Sequence, residues 1–77
     1  MTQSYIFMKI KAGFVETVID ELRNMEEVID ANAVTGGVDV IAKVEGKDIQ
    51  TISKVILTRI HRIDGVERTS THIIVPT

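Results

Sequence analysis

The sequence predicts an α+β domain with the element order β-α-β-β-α-β. Three observations carry that reading: a surplus of β-branched residues, hydrophobic periods that switch between two and about 3.6, and glycines where the period changes. Ten valines and twelve isoleucines stand against two leucines, a balance that favours a substantial sheet over a helical bundle. At 77 residues the chain reads as one domain, 1–77, small enough that association between copies is a natural source of stability.

Residues Ser4 to Lys11 alternate, with Ile6, Met8 and Ile10 on one side and Tyr5, Phe7, Lys9 and Lys11 on the other, as a strand requires. After Ala12-Gly13 the spacing becomes helical. Val15, Val18, Ile19, Leu22 and Met25 line one face, and Glu16 falls in the first turn, where the helix dipole favours a carboxylate. Val28 to Thr35 reads as extended. Gly36-Gly37 then predicts a tight hairpin turn into Val38, Val40, Ala42 and Val44, because such turns need the positive φ that glycine supplies. Asp48 is placed to cap a second helix whose stripe is Ile49, Ile52, Ile56, Ile60 and Ile63, ending at Asp64-Gly65. Val66 to Val75 is the last strand, closed by Pro76. This is the ferredoxin-like arrangement, a four-stranded antiparallel sheet with both helices on one face. The other sheet face is expected to carry Phe7, Ile41 and Ile73 among Tyr5, Asp39 and Lys43, an apolar patch that calls for a partner sheet.

Several classes of function are excluded. Without cysteine there is no thiol nucleophile or disulfide, and no phosphate-binding glycine loop or H-E-x-x-H is present. A formal charge of −2, with no cluster of basic residues, argues against direct nucleic-acid binding. No basic leader precedes an apolar stretch, and no apolar run approaches the roughly 20 residues of a membrane span, so a cytoplasmic protein is expected. His61 and His72 are not at metal-ligand spacing, no metal or cofactor is implied, and no enzyme activity is expected.

The segment Val34-Thr35-Gly36-Gly37-Val38-Asp39 has two readings. One is a glycine-rich turn followed by an exposed aspartate. The other is a binding site: the Gly36 and Gly37 amides admit a ligand carboxylate, and Asp39, two residues on, receives an ammonium. Thr69, Ser70 and Thr71 on the last strand offer hydroxyls to such a site.

Gly36-Gly37-Val38-Asp39-Val40-Ile41, followed by Gly65-Val66-Glu67-Arg68-Thr69-Ser70-Thr71, resembles the effector-binding domain of Lrp/AsnC transcription regulators, the RAM domain, over essentially the whole chain. Because the domain begins at the first residues, with no DNA-binding helix-turn-helix ahead of it, the chain is similar to the stand-alone RAM proteins. The resemblance implies dimers formed through sheet faces, their assembly into octamers or decamers, and a free amino acid bound between dimers. It also implies association with a full-length regulator as an alternative partner, and a role in regulating amino acid metabolism. The effector-binding positions it implies are Gly36, Asp39, Thr69 and Thr71, to which the glycine-amide reading adds Gly37. Gly37 stands where the family more often has an acidic or polar residue, and His72 where an aromatic is common. Two other readings of the same fold stand beside it: a small dimeric α+β barrel enzyme of the monooxygenase type, which would need His72 in a cavity between helices and sheet, and an ACT-type regulatory domain.

Overall fold

The computed structural model describes residues 1–77. Four strands, β1 (Thr2–Ile10), β2 (Val28–Ala33), β3 (Val40–Gly46) and β4 (Val66–Ile73), form one antiparallel sheet in the order β2-β3-β1-β4. Helices α1 (Val15–Arg23) and α2 (Ile49–Thr58) cover one face. The expected element order and sheet therefore hold, with β1 and β3 in the middle because their inward residues are the most apolar. Ile6, Met8, Val40, Ala42 and Val44 are all fully buried, and Val18, Leu22 and Ile52 close over them from the helices.

Asp48 caps α2 as expected: its Oδ1 accepts from the Thr51 backbone N–H and from the Thr51 hydroxyl, each at 2.8 Å. Those two bonds favour the carboxylate and hold the Asp48 pKa below its usual value. The second helix ends earlier than its isoleucine stripe predicts. Arg59 leaves helical geometry at φ −124°, and the stripe continues in a 3₁₀ turn, Ile60–Arg62. The physical reason is that residues three apart eclipse one another in a 3₁₀ turn. Ile60 and Ile63, three apart, thus both stay on the core side through the turn.

Two further expectations are corrected. The Gly36-Gly37 turn is not a two-residue hairpin: β2 stops at Ala33, and the Val34 N–H donates to the Asp39 carbonyl at 3.0 Å across a wider loop. Only Gly36 takes a positive φ, at 110°. Ile73 also lies on the other face from Phe7, because it pairs with Ser4, whose side chain is buried among the core residues. On the open face β4 instead contributes Arg68, Ser70 and His72, opposite Lys9, Phe7 and Tyr5.

Ser4 is the one buried polar side chain, and its hydroxyl has no hydrogen-bond partner. A buried donor left unpaired keeps its desolvation cost. Ser4→Ala is therefore expected to raise stability by about 1 kcal/mol, read as a melting temperature about 4–8 °C higher at fixed protein concentration. A lower melting temperature would show that the hydroxyl is satisfied.

Candidate effector site

The open face of the sheet gathers a set of charges at the glycine end of β1. Lys9 and Arg68 are direct cross-strand partners. Two cations side by side are unfavourable unless an anion intervenes. Asp39, at the entrance to β3, supplies it in part: its Oδ2 lies 3.6 Å from Lys9 Nζ. The same oxygen accepts the Ile10 backbone N–H at 2.8 Å, where the β1–β4 register shifts. Asp39 therefore does structural work as well, tying the loop to the end of β1. Arg68 makes no ion pair and is exposed.

Beside these groups lies an open cleft of about 300 Å³, lined by Phe7, Lys9, Gly37, Val38, Arg68, Thr69 and Ser70. The cleft joins the hairpin loop to β4 across the end of β1. Space around Gly36 and Gly37 is open, with no atom within 4 Å of where a Cβ would sit on either, so a ligand can approach the loop backbone closely. A second cleft, of about 400 Å³, adjoins the first at the β4 edge, lined by His61, Val66, Glu67, Arg68 and Thr69. His61 Nε2 and Thr69 Oγ1 are 2.7 Å apart, fixing the 3₁₀ turn against β4 between the two clefts.

Of the five positions expected to bind effector, Gly37 and Thr69 line the first cleft, although Thr69 pairs with Met8 and its hydroxyl is turned to the helix side, onto His61. Asp39 stands next to them through Lys9. Gly36 sits back in the loop, where its positive φ shapes the turn. Thr71 pairs with Ile6 on the helix side of β4 and lines neither cleft. The residues that reading the sequence missed are Lys9, Arg68 and His61. The pairing of Lys9 with Arg68 depends on the β1–β4 register, which no local pattern fixes, although both are charged residues on outward strand positions.

His72 does not enter a cavity between helices and sheet. It is exposed on the open face, its ring 4.7 Å from that of Phe7 and its Nε2 3.0 Å from the Ser70 hydroxyl, while the space beneath the helices is filled by apolar side chains. The residue the barrel-enzyme reading needs as a base is thus on the wrong side of the sheet. No three His, Asp or Glu side chains gather as a metal site, and no helix is long and apolar enough to cross a membrane.

Comparison with known proteins decides among the three readings of this fold. The model of the Lrp/AsnC ligand binding domain matches residues 3–77. The chain belongs to that family. It is 32% identical over 71 residues to the uncharacterized HTH-type transcriptional regulator PH0140 of Pyrococcus horikoshii, a match covering 92% of this chain and 45% of the relative. The chain thus spans about half the length of the curated relatives it matches. Among solved structures, FFRP-DM1 superposes with a TM-score of 0.93 at 32% identity, covering 97% of this chain and 100% of that one. The fold also recurs in the transcriptional regulator NMB0573 of Neisseria meningitidis, solved as a complex with L-Met, with a TM-score of 0.87 at 22% identity, covering 97% of this Lrp/AsnC domain and 50% of that chain.

Proposed function

We propose that this Lrp/AsnC domain is a non-enzymatic effector-binding and oligomerising module. It takes a free amino acid in the cytoplasm and serves transcription regulation of amino acid metabolism without contacting DNA itself. The observation that carries the reading is the cleft between the Gly36-Gly37 loop and β4. It offers a cation without an ion pair, Arg68, an approachable Gly37 backbone, and Asp39 as an acceptor beside them. A zwitterion fits that set: its carboxylate meets Arg68 and Gly37, and its ammonium meets the carboxylate of Asp39. The ligand in the Neisseria complex makes amino acids the first class to test.

The apolar open face, where Phe7 and Ile41 are half-buried and Tyr5 is exposed, supports a dimer through sheet faces. Such dimers then assemble into an octamer or decamer. A full-length Lrp/AsnC regulator, sharing the same domain, is the alternative partner.

Calorimetric titration of the chain with each of the twenty amino acids is the test. Binding of at least one is expected. Arg68→Ala is expected to weaken it about tenfold or more, since a charge-assisted hydrogen bond contributes about 1.5–3 kcal/mol. Asp39→Asn keeps an acceptor for the Ile10 N–H, so it should retain the fold while weakening binding. No heat at millimolar ligand, or unchanged affinity in both variants, would overturn the assignment.

A further inference from the structure

The charged groups around the Gly36-Gly37 cleft form a set of two cations and one anion. Lys9 and Arg68 stand opposite each other on β1 and β4, and Asp39 reaches the set from the entrance to β3, which leaves a net charge of +1. No second carboxylate corrects it. The chain makes two ion pairs in all, Lys9–Asp39 and Arg59–Glu27, and Glu67 lines the clefts at the β4 edge instead of this one.

The Lys9–Asp39 pair is loose. At 3.6 Å, with the two side chains 39% and 32% accessible, it is a surface pair of the kind that contributes little, so its members are free to exchange partners. Asp39 is also only half used. Its Oδ2 accepts the Ile10 N–H and faces Lys9, while Oδ1 has no hydrogen-bond partner in the chain. The walls of the cleft are mostly polar. Of its seven lining residues only Phe7 and Val38 are apolar, both half-buried, and the Phe7 ring already lies against that of His72. An aliphatic ligand side chain would find little apolar surface to cover there.

We propose that the amino acid this cleft selects is an acidic one, aspartate or glutamate, and that Lys9 determines the choice. Such a ligand carries two carboxylates and one ammonium, the complement of the two cations and one carboxylate of the site. Its α-carboxylate meets Arg68 and Gly37, its ammonium meets Asp39 Oδ1, and its side-chain carboxylate takes Lys9 from Asp39, so every charge gains a partner. A neutral amino acid leaves Lys9 and Arg68 side by side with one carboxylate between them. A basic one adds a third cation, which like-charge repulsion disfavours. This rests on the effector reading above and names the ligand class and the specificity residue within that site.

Calorimetric titration with glutamate against glutamine, and with aspartate against asparagine, tests it, because each pair differs by one charge at nearly constant shape. The acid is expected to bind about tenfold tighter than its amide, or more, since the added contact is charge-assisted. Added salt should narrow that ratio, as the groups are partly exposed. Lys9→Gln is expected to bring the ratio close to one. Lys43→Gln, on the same sheet face but over the Tyr5 ring and outside the cleft, is expected to leave it unchanged. Circular dichroism melts verify that both variants fold. A parent chain that binds the amides as tightly as the acids, or that binds only other amino acids, would overturn the acidic class while leaving the cleft an amino-acid site. A ratio that survives in Lys9→Gln, or that falls equally in both variants, would overturn the role of Lys9. No heat from any amino acid would overturn the effector reading and this inference together.

Discussion

Gly65→Ala is expected to lose most of the stability of the domain. Gly65 takes φ +97°, a conformation that costs an L-residue about 1–2 kcal/mol. A methyl group there would also fall on Phe14, within 2.7 Å of its Cγ and closer still to its Cβ. Phe14 cannot simply withdraw, because it packs against the core at the start of α1 and the Lys11 N–H donates to the Gly65 carbonyl at 2.7 Å. Overpacking of this kind adds about 1–3 kcal/mol. The sum, roughly 3 kcal/mol, predicts a melting temperature lower by about 12–24 °C at about 4–8 °C per kcal/mol for a domain of this size. A fall of only a few degrees would mean that Phe14 and the loop yield. Gly37→Ala is the control: its φ is ordinary, nothing lies within 4 Å, and stability should barely change.

Ile60→Ala is expected to be of similar size for a different reason. Ile60 is fully buried at the point where the 3₁₀ turn joins α2 to β4. Truncation leaves a cavity costing about 2–5 kcal/mol. Because the same turn carries His61, whose ring nitrogen lies 2.7 Å from Thr69 Oγ1, slackening it should also loosen the β4 side of the effector cleft. Denaturant melts give the first quantity, and ligand affinity measured where the variant is still folded gives the second. A loss under 1 kcal/mol, or unaltered affinity, would show that the turn is held by other contacts.

Most of the fold was legible because the inward faces of β1, β3 and both helices are apolar at their own period. Ile6/Met8/Ile10 alternate as a strand must, Val18/Leu22 and Ile52/Ile56 recur as helices must, and no other pairing buries them together. What sequence reading misplaced depended on facts that are not local. Ile73 sits beside two other apolar residues, Ile74 and Val75, so alternation says nothing of its face; pairing with Ser4 decides it. The isoleucine spacing from Ile56 to Ile60 to Ile63 suits an α-helix and a 3₁₀ turn about equally. The Gly-Gly pair signalled a turn but not its width. That width is set by Asp39, whose backbone N–H donates to the Met8 carbonyl and whose carboxylate accepts from the Ile10 N–H. The site divides in the same way. Gly37 and Thr69 come from motifs, whereas Lys9 and Arg68 meet only through the strand register.

The central claim is that the cleft between the Gly36-Gly37 loop and β4 receives an amino acid, and amide chemical-shift mapping tests it most directly. The isotopically labelled chain is titrated with the amino acid that gives the largest calorimetric response. Saturable shifts are expected to concentrate at Gly37, Val38, Asp39, Arg68 and Thr69, and to be lost in Arg68→Ala. Shifts confined to other parts of the molecule, or none at millimolar ligand, would contradict it.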